Sequence, residues 1–413
     1  MKKHLKTLLF LLAFCFYALQ GQAQFEGYQL SPDAKISLIT CSSGNDLYAV
    51  FGHSAVRVQD PASGMDIIFN YGTFDFNEPN FYLKFAQGKL RYKLSAAHFS
   101  DFLYSYTMDN RSVYEQVLNL TPEQRQKYWG FLTHNFLPEN RFYLYDFFFD
   151  NCATRIRDGL EATFPDNQIA FQLDEFDRDY TFRNLIDLYL PPQPWGDFGI
   201  DLALGAVIDQ EATPYQYMFL PDYLSKGFAN ATIMQNGHMV PLTGLPQAVF
   251  LQDTSRLPET PLFTPLLLCW VILVLVTAIT VFDFMRRRRS RALDFTLFLI
   301  TGFLGVVFLL LWFATDHQAT ANNFNLLWGI PTHLIVAIYI AKKVALPKWL
   351  EVYLLLTAAI SALLVIGWPW WPQQFHMAFL PIVLAIGMRA AYTVWLSKKA
   401  PVPVTTSKVK ERI

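Results

Sequence analysis

The stretch LFTPLLLCWVILVLVTAITVFDFMRRRRSR, residues 262–291, divides the chain. Its apolar part, Leu262 to Phe282, has about the 20 residues that a helix needs to cross the hydrocarbon core of a bilayer. The run Arg286 to Arg289, followed by Arg291, marks the cytoplasmic end of such a span by the positive-inside rule. Four more apolar segments follow: Phe295 to Ala314, Leu326 to Ile340 (the shortest), Trp349 to Trp368, and Phe375 to Leu396. Lys342, Lys343 and Lys348 follow the third span, and Lys398 and Lys399 follow the fifth. The alternate loops, Thr315 to Asn325 and Pro369 to Gln374, carry no Lys or Arg. The pattern predicts an all-α transmembrane domain of five helices over residues 262–396, with a cytoplasmic basic tail at 397–413. Trp368, Trp370 and Trp371 read as an interfacial aromatic belt on the outer side.

The N-terminus agrees with that orientation. MKKHLKTLLFLLAFCFYALQGQAQ has a positive start, a short apolar run, and small residues at Gly21 and Ala23. It reads as a signal peptide over residues 1–23, cleaved after Ala23. Cys15 does not make a lipoprotein box, because Phe14 occupies the position that needs a small residue. A soluble domain over 24–242 is therefore expected on the periplasmic side of a bacterial inner membrane. The Pro-containing, polar stretch 243–261 reads as a linker. Of the 413 residues, 53% are hydrophobic and 16% charged, against about 25% charged in soluble proteins. The net charge of −1 provides no basic field for nucleic acid.

In the soluble half, Lys35 to Thr40 reads as a buried strand. Ala55 to Gln59 and Met65 to Tyr71 read as a hairpin around the turn Pro61-Ala62-Ser63-Gly64. Thr121-Pro122 starts a helix, and Asp150 or Asn151 caps another that begins at Cys152. Asn236-Gly237 marks a small hairpin. Phe142 to Phe149 is aromatic and reads as buried, with Phe147-Phe148-Phe149 as a core strand.

Two short motifs carry chemistry. Phe51-Gly52-His53-Ser54 puts a His at the start of a strand, and Asp150-Asn151-Cys152-Ala153 puts a Cys at the start of a helix. The positive end of the helix dipole favours a thiolate, and the first-turn N–H groups can receive an oxyanion. A neighbouring imidazole would take the thiol proton and return it. If the turn closes with Asp60 opposite Met65, then Ala55 faces Asn70, and His53, Ala55 and Asn70 share one face of the sheet. Asn70 is then the candidate orienter of His53. A structural His, an inert buried Cys, or a disulfide between Cys41 and Cys152 is the competing reading. In the membrane half, Asp316, His317, Thr320, Asn323 and Asn325 crowd an outer loop. A plain polar loop with a helix cap is one reading. The sharper one makes Asp316, His317 and Asn323 contacts for a lipid headgroup or acceptor. Arg389, inside the last span, is expected to snorkel to the cytoplasmic face, with a buried acid or headgroup as the alternative partner.

Several segments together are similar to the Lnb-type lipoprotein N-acyltransferase family of Bacteroidetes. They are LITCSSGNDLYAVFGHSAVRV (38–58), FNYGTFDF (69–76), FYLKFAQGKLRYKL (81–94), YDFFFDNCATRIRD (145–158), GIDLALGAVIDQ (199–210), MFLPDYL (218–224) and DHQATANNFNLL (316–327). The resemblance implies an α+β papain/NlpC-like, circularly permuted periplasmic domain, which would account for a His that precedes the Cys. It implies Cys152 as nucleophile and His53 as its base and acid. It also implies transfer of an acyl chain from a membrane phospholipid, through a thioester, to the α-amino group of a diacylglyceryl-cysteine lipoprotein. No metal or diffusible cofactor is called for. The rival readings are an NlpC-type cysteine amidase or endopeptidase acting on cell-wall peptides, and a non-catalytic envelope sensor or assembly protein.

Overall fold

The computed structural model describes residues 25, 27–174, 176, 179–256, 261–342 and 346–399. The expected signal peptide with its Ala23 cleavage site, Cys15, Lys343 and the tail beyond 399 lie outside the described residues. The chain divides into two compact units. One comprises residues up to 192 together with 210–259, and the other comprises 193–209 with residues from 260 onward.

The first unit is α+β. Its strands are β1 (Lys35–Cys41), β2 (His53–Asp60), β3 (Met65–Thr73), β4 (Arg91–His98), β5 (Val113–Val117), β6 (Phe142–Leu144), β7 (Ile169–Phe171), β8 (Ala231–Gln235), β9 (His238–Pro241) and β10 (Gln247–Phe250). Seven form an antiparallel sheet in the order β10-β5-β1-β2-β3-β4-β6, and the other three a small sheet in the order β7-β8-β9. Alternation along β1 to β3 sends Leu38, Val56 and Phe69 to one face and Ile39, Ala55 and Ile68 to the other. The first face packs against the helices Pro122–Phe136 and Cys152–Thr163, the second against the helix Phe99–Met108. Both faces are therefore buried. Thr121 caps its helix with Pro122 at the first position and Gln124 completing a capping box.

Two expectations are corrected here. The linker stretch contains a strand: β10 pairs with β5 and lengthens the sheet at its edge. Phe147-Phe148-Phe149 is a tight turn rather than a core strand. Asp146 and Asp150 close it, and Asp146 Oδ1 accepts from the N–H groups of Phe148 and Phe149. Only Phe148 of the three is fully buried.

The second unit is helical. Four helices are long and apolar enough to cross a membrane: Pro265–Met285, Arg291–Phe313, Lys348–Ile366 and Phe379–Lys399. The third expected span differs. Leu326 to Ile340 begins with a short 3-10 turn (Phe324–Leu327) and yields only a nine-residue helix, His333–Ala341. Gly329, Ile330 and Pro331 separate the two pieces. That leaves four membrane-length helices among the described residues where five were expected. The helix Pro194–Ala203, expected in the soluble domain, belongs to this unit.

Candidate active site

Gly52 sets the entry to β2. Its φ of 80° is a left-handed conformation that side-chained residues avoid, and a Cβ there would lie 2.8 Å from the Cys41 carbonyl oxygen. The next residue, His53, pairs with Cys41 across β1. The β2–β3 register runs from Asp60 opposite Met65 to Val56 opposite Phe69. Continued one step, it sets Ala55 against Asn70. His53 Nε2–H donates to Asn70 Oδ1 at 2.6 Å. Just beyond Asn70 the β3–β4 pairing shifts, between Asn70 and Thr73, which bends the strand at this point.

Cys152 is the first residue of its helix and is 7% exposed. Asn151 caps it: Oδ1 accepts from the N–H groups of Ala153 and Thr154, both at 2.9 Å, and Thr154 Oγ1 accepts from Asn151 N at 2.8 Å. Asn151 Nδ2 donates to the Phe147 and Phe219 carbonyls, which ties the helix start to two loops. The cap occupies the second and third amides of the helix and leaves the amide of Cys152 itself for an oxyanion.

The thiol and imidazole are hydrogen-bond neighbours. Burial pushes the Cys152 thiol up. The charge and hydrogen bond of His53, with the backbone N–H groups of Ser54 and Ala153, outweigh it and hold the thiol below its ordinary value. Burial likewise pushes His53 down, and the Cys152 thiolate and Asn70 outweigh it, so the imidazole is held above its ordinary value. The pair therefore favours thiolate and imidazolium. With Nε2 engaged by Asn70, Nδ1 is the nitrogen left to face the thiol.

Cys41, Cys152 and Cys269 are free thiols, so Cys41 and Cys152 form no disulfide. Cys41 is fully buried, and burial pushes its thiol up to about 12. Two neighbours of the site were not anticipated from the sequence. Tyr106 stacks on the His53 ring at 6.4 Å and 12°, and the Arg111 guanidinium lies 4.6 Å from the Tyr106 ring. Phe99, Phe102 and Tyr106 recur at helical spacing, and that stripe carries the signal for Tyr106. Nothing local marks Arg111.

Residues 23–187 match a family model described as the Lnb N-terminal periplasmic domain, and residues 257–401 match one described as the Lnb transmembrane domain. The chain belongs to the Lnb family. No curated protein and no solved structure matches it. It is thus a membrane protein with an N-terminal periplasmic domain.

In the transmembrane unit of this Lnb protein the outer-loop candidates separate. Asn323 is fully buried, and its Nδ2 donates to the Leu202 and Ala203 carbonyls at 2.9 and 3.2 Å, while Oδ1 accepts from Asn325 N. Asn325 Nδ2 donates to Asp201 O, and its Oδ1 accepts from Trp328 Nε1. Asn323 thus ties the segment 193–209 to its own loop, with both polar atoms engaged inside the unit. Asp316 is exposed and His317 half-buried. Thr320 Oγ1 donates back to the Leu311 and His317 carbonyls.

Arg389 does not snorkel. It is fully buried, with Nε donating to Asp294 Oδ1 at 2.6 Å and Nη1 to Asp283 Oδ2 at 3.1 Å and Thr280 Oγ1 at 3.0 Å. Both aspartates are also fully buried, and Ser290 donates to Asp283. Arg288 and Arg289 lie farther from the same aspartates, at 3.5 and 3.8 Å, so Arg389 makes the close pairs of the cluster. A buried guanidinium that meets two buried carboxylates is favoured over snorkelling because its own charge is paired inside the bundle.

Proposed function

We propose that this Lnb protein is a lipoprotein N-acyltransferase whose nucleophile is Cys152 and whose base and acid is His53. The observation that carries the reading is a thiol on the first residue of a capped helix, paired with an imidazole whose other nitrogen is held by Asn70. The Cys152 thiolate attacks an ester carbonyl of a membrane phospholipid, and the developing oxyanion is received at the Cys152 N–H. The tetrahedral intermediate collapses with cleavage of the ester C–O bond. His53 gives its Nδ1 proton to the departing alkoxide, which leaves as a lysophospholipid. His53, now neutral, accepts a proton from the α-amino group of a diacylglyceryl-cysteine lipoprotein as that nitrogen attacks the thioester. The amide forms and Cys152 leaves as thiolate. Asn70 holds His53 in the tautomer with the proton on Nε2, so that Nδ1 exchanges the proton throughout.

The domain is proposed to be a permuted papain-like fold: an antiparallel sheet supplies the His and a capped helix supplies the Cys, in the order His before Cys. Four membrane-length helices in the same chain favour substrates held in the bilayer, since tethering turns an encounter in solution into one in the membrane plane. The alternation of basic and uncharged loops supports an inner-membrane location with a cytoplasmic C-terminus. Asp316 and His317 remain proposed contacts for a headgroup or acceptor.

The test is the intact mass of a lipoprotein N-terminal peptide from cells with and without the gene, complemented by wild type or by Cys152→Ser. Loss of the triacylated form on deletion, with return only on wild-type complementation, is expected. An unchanged lipopeptide with altered muropeptides would point instead to a cell-wall hydrolase. Full rescue by Cys152→Ser would point to a non-catalytic role.

A further inference from the structure

A cluster of rings stands out from the periplasmic unit between β3 and β4. The short helix Phe81–Ala86 and the preceding loop expose Phe76 (61%), Tyr82 (79%), Leu83 (58%) and Phe85 (53%). Isolated exposed apolar residues are ordinary on a soluble surface, but a contiguous group of this kind marks a contact surface. The rings support one another: Phe76 and Phe81 centroids are 4.9 Å apart, and Phe81 and Phe85 stack at 6.4 Å.

The border of the cluster is basic. Lys89 and Arg91 are exposed and Lys93 is half-buried. On the adjoining edge strand, Leu144 pairs with Arg91 and Phe142 with Lys93, and both are exposed (52% and 44%). The tip also holds Asp75 and Glu78, and Lys84 pairs with Glu78 at 2.7 Å, so Lys89, Arg91 and Lys93 give the region its positive excess. Aromatic and leucine side chains next to an excess of Lys and Arg suit the headgroup level of a bilayer, where rings enter the acyl boundary and cations meet phosphates. The same chain carries four membrane-length helices, which tether it to a bilayer.

The cluster also connects inward. Phe74 lies 4.9 Å from Phe76 and 5.3 Å from Tyr92, which stacks on Tyr145 at 4.4 Å. Tyr145 borders Gly72, where a Cβ would meet the Tyr145 ring at 3.6 Å and the Cys152 Cβ at 3.9 Å. A series of ring contacts thus runs from the exposed tip to Tyr145, and Gly72 lies between Tyr145 and Cys152.

We propose that the tip formed by residues 74–85 is a lipid-seating element: its rings enter the outer leaflet and present phospholipid to the Cys152 end of the domain. The seat stands on the apolar and basic surface alone. Only its use as a lead to Cys152 rests on the acyl-transfer reading.

The experiment uses the full chain in nanodiscs of phosphatidylethanolamine and phosphatidylglycerol, with p-benzoylphenylalanine in place of Tyr82 or, as control, of Ala62 in the exposed turn at the far end of the β2–β3 hairpin. Irradiation followed by mass spectrometry counts phospholipid adducts. A several-fold excess at position 82 is expected, and equal yields at the two positions overturn the proposal. The excess should persist in Cys152→Ala, so a failed chemistry and a failed seat are separately visible. Adding Phe76→Ser and Phe85→Ser should lower the adduct yield at position 82 several-fold while Cys152 still reacts with iodoacetamide at the unsubstituted rate. An undiminished yield overturns the proposal. Phe85→Ser alone replaces the double variant if the latter loses Cys152 reactivity.

Discussion

His53 Nε2 lies 2.6 Å from Asn70 Oδ1, a contact made across two neighbouring strands by residues 17 positions apart. It commits Nε2–H to a carbonyl acceptor and turns the other ring nitrogen toward Cys152. Replacing Asn70 by Ala frees the ring to rotate and to change tautomer. We expect acyl transfer to fall on the order of 100-fold, as misplacement of a reacting group by about 1 Å does. Asn70→Asp should retain ring orientation and more of the activity than Asn70→Ala. Lipopeptide mass in a complemented deletion strain measures both.

The thiolate–imidazolium pair gives a pH signature. The Cys152 thiol is held below its ordinary value, so thiolate persists below the usual thiol range and is lost as pH falls through that lowered value. The His53 imidazole is held above its ordinary value, so its proton persists above the usual imidazole range and is lost as pH rises through that raised value. Each shift favours the charged form of its group and so favours the ion pair over the neutral pair. Iodoacetamide should label Cys152 near neutrality and leave Cys41, whose thiol is pushed up to about 12, untouched. His53→Ala removes the group that opposes burial, so labelling of Cys152 should shift to higher pH. Peptide mapping across a pH series reads this, and an unshifted profile would break the pairing.

Arg389 bridges Asp294 and Asp283 inside the helical unit. Arg389→Met leaves two buried carboxylates without their shared cation. Breaking a buried pair costs about 3–5 kcal/mol, so the thermal midpoint in detergent should drop clearly. Arg389→Lys should recover only part of the loss, because an ammonium cannot reproduce the planar, forked contact.

Asn323→Ala removes the donor that holds the Leu202 and Ala203 carbonyls. A fully buried acceptor left unsatisfied costs about 1–3 kcal/mol, which is an upper bound here because both carbonyls are part-buried and Asn325 Nδ2 stays 3.4 Å from the Leu202 carbonyl. Limited proteolysis should then reach the segment 193–209 faster than in wild type, while Cys152 alkylation is unchanged. Unchanged proteolysis would remove that tying role.

Much of the site was legible because its determinants are local. Alternation on either side of Pro61–Gly64 sets the hairpin register, and a one-residue slip would reverse every side chain on two buried faces. The cap at Asn151 and the helix that follows are likewise written in adjacent residues. The linker strand escaped notice because a four-residue edge strand has too little alternation to stand out from its polar surroundings. The third expected span is shorter in the structure than its apolar run, because Gly329, Ile330 and Pro331 divide that run and leave a nine-residue helix after them.

The sequence by itself determined the division into a periplasmic half and a membrane half, since hydrophobic length and charge bias act segment by segment. It also determined the residue types that meet at His53 and Cys152. The tertiary structure alone decided which groups surround them and which polar residues are spent elsewhere. Tyr106 reaches His53, Asn323 reaches Leu202, and Arg389 reaches Asp283 and Asp294 over separations of 50 to more than 100 positions. No local period encodes those separations; they follow from how whole elements pack once burial demands a partner for every polar group.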